Sequence, residues 1–510
     1  MPCSTILISR RTTGLKFITI NIVLLGMPTI NDLIKTINQE KLQIDKDLVR
    51  LAYNFAYEAH KGQKRKNGNP YIEHPLNTAI TLAQYHLDQD TIIAGLLHDV
   101  PEDTKKTLKD IEKEFGKNVA KLVEGITKLG KLKYRGIERY IENLRKMFVA
   151  MASDIRVIFI KFADRLHNLK TLEALEPKKQ ERIARETLEI YAPIASRLGI
   201  WQLKGKLEDL SFKYLFLKEY NELKDILNKN FKERDLVLKN MCNLVSKELK
   251  KEKIKIIEMS GRTKDLWSLY QKLQKHNNEL ERIHDIIALR VVVVSIADCY
   301  RVLGIVHNKW RFMPNRFKDY IAQPKPNGYQ SLHTTVFYEH GKTIEIQIKT
   351  LEMHQVAEFG IAAHWNYDEK GSIKLDEELN WVQELSKWQQ EIKDNEQYLD
   401  SLKIEVFQDR IFVFTPKGDV IDLPEDSTPI DFAYHIHTEI GDKATGARIN
   451  NQLASLNTPL RSGDMVEIII EKNRKYPNRD WLKFVKTRAA RDKIKSSASK
   501  SLWNTIIRKK

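Results

Sequence analysis

Apolar residues recur at i, i+3 and i+4 spacing from Ile30 to about Lys250, as in Leu48, Leu51 and Phe55, with few β-branched runs. That period predicts an all-α region followed by a helical connector. At Lys253 the texture changes. KIKIIEMSGR, IIALRVVVV and TTVFYEHGKTIEIQI are rich in β-branched residues and separated by helical stretches, which predicts an α/β region with a small sheet to about Lys370. Residues 373–400, with Trp381 and Trp388 at helical spacing, read as a charged amphipathic linker helix. From Leu402 short alternating strands return around one helical stretch at Pro429–Glu439, a compact α+β module ending near Glu471. The final forty residues read as partly helical or unfolded until bound.

Length and composition narrow the class. The 510 residues suit about three or four domains, and 42% apolar with 30% charged residues is an ordinary globular balance. Cys3, Cys242 and Cys299 are too few and too scattered for a disulfide framework or a thiolate zinc site, so a reducing, cytoplasmic compartment is expected. The net charge of +17 suggests phosphate-bearing partners, but it is concentrated at the ends. Residues 471–510 hold 14 Lys/Arg against Glu471, Asp480 and Asp492, and residues 1–31 hold Arg10, Arg11 and Lys16 with no acid. The apolar run Leu15 to Met27 falls short of the ~20 residues a membrane helix needs. Met27 is a plausible native start, with residues 1–26 then an over-extended reading frame.

The first chemical constellation lies on the helices. His98 and Asp99 end the apolar run IIAGLLHD, flanked by His74 in YIEHP and Asp164 in KFADRLHN. Two imidazoles and two carboxylates form a mixed N/O set suited to Mn²⁺, Fe²⁺ or Zn²⁺. Glu102 and Asp103 follow one helical turn later, able to position or deprotonate a water. Lys64, Arg65 and Lys66 in QKRKNG are placed as phosphate clamps would be. An isolated His-Asp pair is more often a hydrogen-bonded helix end; the coincidence of all these strings favours a site. Pro101, between HD and ED, constrains Val100 toward extended geometry, and either begins a turn harmlessly or misplaces Glu102.

The second constellation lies around the strands. GRTKDLWSLYQKL gathers Arg262, Lys264, Ser268 and Lys272, with Ser268 and Lys272 on one face if the segment is helical. Asp285 stands at the entrance to one buried strand, and Glu345 shares a face with Gln347 on another. Such residues are either edge-exposed or the minimal Mg²⁺ site for phosphoryl-type transfer. RFKDYIAQPKPNGYQSLHTTV adds Arg316, Lys318 and Lys325 as phosphate-binding charge and Tyr329 as an aromatic face for a base.

HKGQKRKNGNPYIEHP, LLHDVPEDT and KFADRLHNLKTL resemble the HD hydrolase domain of the Rel/SpoT family, which makes and degrades guanosine tetra- and pentaphosphate. RFKDYIAQPKPNGYQSLHTTV and EIQIKTLEMHQVAEFGIAAHW resemble its synthetase domain, and FVFTPKGDVIDLPEDSTPIDFAYHIHTEIG its TGS domain. The resemblance covers about Ile44 to Ala490. It implies an all-α HD domain, an α/β nucleotidyltransferase-like synthetase domain with a mixed sheet, and a small β-grasp-like TGS domain. The expected boundaries are an N-terminal extension and first helix (1–43), hydrolase (44–195), helical connector (196–250), synthetase (251–372), linker helix (373–403), TGS domain (404–471) and basic tail (472–510).

By the same resemblance, His74, His98, Asp99 and Asp164 hold Mn²⁺, Glu102 and Asp103 are the catalytic pair, and Arg65, Lys66, Asn168 and Thr171 contact nucleotide. In the synthetase domain Asp285 and Glu345 coordinate Mg²⁺ or activate the acceptor 3′-hydroxyl. Arg262, Lys264, Ser268 and Lys272 cradle ATP, Tyr329 stacks on guanine, and Arg316, Lys318, Lys325, Asn327 and His333 complete the two-nucleotide pocket. The basic loop at 316–319 implies a bifunctional enzyme. Lys349 and His284 depart from the family's usual Arg and Tyr, which puts ATP affinity in question. The TGS resemblance implies a contact with uncharged tRNA on the ribosome at His435. The longer relatives' C-terminal regulatory domains are missing from the sequence, as in a shortened form or a split or truncated gene. The expected function is therefore pyrophosphate transfer from ATP to GDP or GTP together with hydrolysis of the product. The rivals are a hydrolase-dominant enzyme with a weak synthetase and a vestigial ribosome- or tRNA-binding factor.

Overall fold

Helix starts in this chain are written in short polar side chains. Asp45 accepts from the amides of Asp47 and Leu48, Asp88 from that of Thr91, and Thr29 with Asp32 forms a capping box. The computed structural model describes residues 27–130, 137–229, 231–275, 277, 279, 287–314, 316–325, 328–339, 342–364, 410–461, 463–471, 473–474 and 476–507. Asp285, His284, Asn327, the 1–26 extension and the expected helix at 373–400 lie outside the described residues.

Among the described residues, thirteen α-helices occupy the first half: α1 (Ile30–Gln39), α2 (Lys46–Ala59), α3 (Glu73–Gln84), α4 (Gln89–Leu97), α5 (Val100–Asp103), α6 (Leu108–Gly130), α7 (Ile137–Ser153), α8 (Arg156–Lys170), α9 (Pro177–Glu186), α10 (Ala192–Arg197), α11 (Trp201–Leu215), α12 (Leu217–Lys229) and α13 (Phe231–Lys251). A π-helical turn at Thr187–Tyr191 joins α9 to α10. Residues Thr91 to Leu97 of α4 are all buried, so this helix is apolar around its circumference and sits inside the bundle against α3 and α8. A Cβ at Gly95 would lie 2.4 Å from the Leu82 side chain, which brings α3 and α4 into close approach and delivers His98 beside His74.

The sheet that follows has order β1-β2-β5-β4-β3, built from β1 (Ile256–Thr263), β2 (Ile287–Val293), β3 (Lys318–Asp319), β4 (Leu332–Phe337) and β5 (Thr343–Thr350). It is mixed: β2 and β5 are parallel and the other pairs antiparallel. Helices α14 (Leu266–Lys275), α15 (Ile296–Lys309) and α16 (Leu351–Phe359) are interleaved with the strands. Strand alternation divides the sheet into two faces. Leu289, Val291, Val293, Leu332, Val336, Ile344, Ile346 and Ile348 pack with Met241 and Val245 of α13 and Cys299, Val302 and Val306 of α15. The opposite face carries Arg290, Glu345, Gln347, Lys349 and His333, with Arg290 and His333 both in register with Gln347. Polar residues on an otherwise β-branched sheet thus fall together on one side.

The described residues fall into two compact units, the helical region with the five-stranded sheet and a C-terminal unit to which the start of α7, up to Arg145, is also assigned. The second contains a hairpin, β6 (Arg410–Phe414) with β7 (Val420–Pro424), and a sheet of order β10-β8-β9 formed by β8 (Ala444–Ile449), β9 (Gln452–Ala454) and β10 (Val466–Ile470). Its helices are α17 (Pro429–Ile436), α18 (Thr438–Lys443) and α19 (Arg488–Ile507). The residues after Glu471, expected to be partly helical or unfolded until bound, form a 3-10 turn at Arg479–Lys483 and the helix α19. Trp481, Val485, Ala490 and Ile494 are buried against Ile430, Tyr434 and Ala444. The buried Asp431 carboxylate also accepts from the amides of Lys486 and Thr487 at 2.9 and 2.7 Å. Among the described residues no helix is long and apolar enough to cross a membrane.

Candidate active sites

The helical site is organised by hydrogen bonds that fix its tautomers. His98 Nδ1 lies 2.9 Å from the carbonyl oxygen of Gly95, which can only accept, so Nδ1 carries the proton and Nε2 the lone pair. That Nε2 is buried and has no hydrogen-bond partner. Arg65 Nη1 donates to His167 Nδ1 at 2.9 Å, and His74 Nδ1 stands 2.8 Å from the same nitrogen. His74 therefore donates from Nδ1, and its Nε2 faces the acids. Acceptor atoms then face one another: His74 Nε2 is 3.5 Å from Asp99 and 3.3 Å from Asp164, and His98 Nε2 is 3.2 Å from Asp99. A divalent cation among them would satisfy lone pairs and carboxylates at these separations. The ligand atoms of His74, His98 and Asp99 all lie within 4.8 Å of one another. Asp164 stands outside that group, with its Oδ1 3.3 Å from His74 Nε2.

Charge around the set supports an ionised Asp164. Its carboxyl is held well below the ordinary range, against burial, chiefly by Lys161, whose Nζ is 2.7 Å away. Burial, then the neighbouring His74 and Arg65, pushes His167 down to about 2, so it stays neutral as an acceptor. Glu102 is raised by burial and by Asp99. Tyr71 Oη bridges the acids, donating toward Asp99 at 3.0 Å and Asp103 at 2.6 Å.

Beside the four acids and imidazoles opens a cavity of about 370 Å³, within the range of small-ligand pockets. Lys64, Arg65, Lys66, Asn168 and Thr171 line it together with Tyr71. Arg65 Nη2 donates to Asn168 Oδ1 at 2.7 Å, and Asn168 in turn donates to Asp164, so the cavity wall continues into the acid cluster. The expectation that Pro101 forces Val100 into extended geometry is corrected: Val100 opens α5, with Asp103 N bonded to Asp99 O at 2.9 Å. Proline in a first turn gives up an amide that has no helical partner there, so Glu102 and Asp103 stay on the helix.

On the polar face of the sheet a hydrogen-bonded chain runs from Lys349 to Glu345. Lys349 Nζ reaches Tyr329 Oη at 3.4 Å, Tyr329 Oη meets His333 Nε2 at 2.7 Å, and His333 Nδ1 meets Glu345 Oε1 at 2.9 Å. Gln347 donates to the other Glu345 oxygen at 3.2 Å. Lys325 Nζ lies over the ring of Tyr329 at 5.3 Å. Burial and the neighbouring Arg290 push Lys349 down to about 7. Arg262 ends β1, Lys264 follows it, and α14 carries Ser268 and Lys272 one turn apart. Lys318 pairs in register with His333, whereas Arg316 stands exposed outside this chain of contacts.

Sequence reasoning missed several participants. His167 and Lys161 flank the Asp164 motif, and Tyr71 sits between the basic loop and His74. Arg290, bonded to Glu358 at 2.8 Å, is buried in the middle of a β-branched strand, a position where an arginine demands a partner. In the C-terminal unit His435 is exposed near the end of α17.

Family models match in the same order: an HD domain at residues 52–201, the region found in RelA / SpoT proteins at 261–372 and a TGS domain at 411–470. The chain is 45% identical over 471 residues to the bifunctional (p)ppGpp synthase/hydrolase SpoT of Escherichia coli K12, covering 92% of this chain and 66% of that protein. The chain belongs to the Rel/SpoT family. It is also 45% identical to a GTP pyrophosphokinase of Myxococcus xanthus, covering 90% of this chain and 61% of the relative. A probable guanosine-3′,5′-bis(diphosphate) 3′-pyrophosphohydrolase of Synechocystis is 48% identical, at 88% and 60%. The chain thus spans about 60% of the length of these last two relatives. Within this Rel/SpoT chain, Lys349 is 1% exposed and fully enclosed by the sheet site.

Proposed function

We propose that the chain both hydrolyses and makes guanosine 3′-pyrophosphates, with hydrolysis in the helical domain at 44–195 and synthesis in the sheet domain at 251–372. The observation that carries the hydrolase half is the pair of inward Nε2 atoms facing Asp99 and Asp164. We assign Mn²⁺ to His74, His98, Asp99 and Asp164; such an ion supplies Lewis acidity toward a water and a phosphoryl oxygen. Arg65 and Lys66 bind the phosphates, Asn168 and Thr171 line the nucleoside side, and Tyr71 keeps Asp103 oriented. Glu102, with its raised pKa, exchanges the proton of the attacking water. The bond formed is from water oxygen to the 3′-pyrophosphate phosphorus. The bond broken is to the ribose 3′-oxygen, leaving GDP or GTP and pyrophosphate.

In the sheet domain the acceptor 3′-oxygen attacks the β-phosphorus of ATP, and AMP leaves. We assign Mg²⁺ to Glu345 and Asp285. Glu345 accepts the 3′-hydroxyl proton, Tyr329 offers its ring to guanine, and Arg262, Lys264, Ser268 and Lys272 hold the triphosphate. Positioning and charge neutralisation supply most of the acceleration in such transfers. The test is nucleotide chromatography after incubation of the purified chain with ATP and GDP under Mg²⁺, and with guanosine tetraphosphate under Mn²⁺. Product in both supports the assignment, and silence in both sinks it. We further assign a tRNA contact to the TGS module at the exposed His435; retention of deacylated tRNA that is unchanged by H435A would overturn it.

A further inference from the structure

Helix α11 belongs in sequence to the helical region, yet one of its faces is given over to the sheet domain. Trp201, Gly205 and Asp209 recur at i, i+4 and i+8 and share that face. Trp201 meets the ring of Tyr329 edge-on at 6.3 Å. A Cβ at Gly205 would lie 2.8 Å from the carboxyl carbon of Asp265, so α11 approaches the start of α14 more closely than a larger residue permits. Asp209 reaches the first turn of α14, where its Oδ1 accepts from the amide of Trp267 at 2.9 Å, with the Leu266 amide as a second donor. Farther along the contact, Phe212 and Phe216 pack on Trp267 at 5.3 and 5.6 Å.

The first amides of a helix lack partners within it, and the residue before the helix ordinarily supplies one. Here that residue is Asp265, and its carboxylate is directed elsewhere: Oδ2 bonds Arg262 Nη2 at 3.3 Å. The capping acceptor arrives instead from α11, 56 residues earlier than Asp265 in the sequence. We propose that Asp209 is a positioning residue for the phosphate donor. By capping α14 from outside, it fixes the helix that bears Ser268 and Lys272 and lets Asp265 hold Arg262. The inference rests on the assignment of pyrophosphate transfer to the sheet domain. A small displacement of groups that hold the reacting phosphates is costly, because transfer depends on alignment.

Two measurements on the full chain test it. Amide hydrogen exchange at Leu266 and Trp267 should quicken about ten-fold in Asp209→Ala, the loss expected of an N-cap. Peptides around His74 and His98 should exchange as in the wild type. In synthesis assays the KM for ATP should rise about ten-fold in Asp209→Ala, while the KM for GDP and the hydrolysis of guanosine tetraphosphate stay within two-fold. Asp209→Asn, which keeps an acceptor oxygen, should restore most of both effects. Asp209→Glu, one methylene longer, should give a smaller loss in the same direction and serves if the alanine variant does not fold. Unchanged exchange in the alanine variant overturns the cap. Faster exchange with an unchanged KM for ATP overturns the positioning role. If the wild type makes no product from ATP and GDP, that failure belongs to the assigned activity. ATP affinity by titration calorimetry then replaces the KM, with the same ten-fold loss expected and an unchanged affinity overturning the role.

Discussion

The Nδ1 atoms of His74 and His167 stand 2.8 Å apart, and Arg65 already donates to the His167 nitrogen, so the proton between the two rings belongs to His74. A histidine outside the assigned donor set thus orients one inside it. Replacing His167 by alanine should lower divalent-metal affinity about 10- to 100-fold, the usual effect of losing an outer-shell partner. His167→Asn, whose side-chain oxygen can take the place of Nδ1, should retain more of it. Titration calorimetry with Mn²⁺ reads this without reference to turnover. Equal affinity in the alanine variant and the wild type would show that His74 needs no such partner.

The two assigned activities should separate cleanly. Glu345→Gln keeps a hydrogen-bonding group opposite His333 but removes the base, so synthesis should fall at least about 100-fold with hydrolysis intact. Asp99→Ala removes the carboxylate that both His74 and His98 face, so hydrolysis should be lost while synthesis persists. Chromatography of both reactions for both variants checks the pattern. A variant that silences both reactions would point to shared folding rather than separate chemistry.

Lys349 offers a test through pH. It is enclosed by Arg290 of β2, Arg262 of β1, Glu358 of α16 and Glu345 of its own strand, with Tyr329 above. Burial and the cations bring it to about 7, whereas the unfolded chain keeps the ordinary value of 10.5. Between these values the unfolded state binds more protons, so this group makes stability rise with pH from about 7 to 10.5. Its penalty is complete below about 7. Lys349→Met should therefore stabilise the protein by several kcal/mol at pH 6, at most about 5, and by about 1 kcal/mol or less near pH 10. Denaturant titrations at the two pH values decide it, and an equal change at both would contradict the buried-lysine account.

What the sequence disclosed follows the range of the forces involved. The helical period and the β-branched runs mark α4 and β5 because burial acts on every residue of an element. His74, His98, Asp99 and Asp164 were legible because each sits in a short string of unusual polarity. The partners that orient them were not, since Arg65 and His167 are 102 residues apart and meet only in the folded chain. The same holds for Asp209, which looks like any charged residue on an amphipathic helix until α14 is placed against it. Pro101 left two readings open in the sequence; a helix of only four residues restarts at Val100, and proline suits a first turn, so the harmless one holds. Around Trp481 the surrounding lysines and arginines conceal in the sequence an aromatic that packs with Tyr434 in the C-terminal core.

Gly360 carries the sharpest steric demand on the contact between α16 and the turn after α10. It adopts φ +57° and ψ −137°, a region that side chains resist. A Cβ there would lie 2.3 Å from the Leu198 carbonyl oxygen and 2.9 Å from the Ile200 amide nitrogen, backbone atoms that cannot rotate away. Its neighbour Phe359 stacks on His86 at 4.4 Å, so any shift of Gly360 also disturbs the end of α3. Gly360→Ala should cost more than about 3 kcal/mol, because overpacking and backbone strain add. Gly418 supplies the comparison: it has φ +90° with nothing within 4 Å of a built Cβ, so Gly418→Ala should cost only the strain, about 1 kcal/mol. Scanning calorimetry of the two variants measures the difference. Similar losses in both would mean that backbone conformation alone, and not the close approach to Leu198, makes glycine necessary at 360.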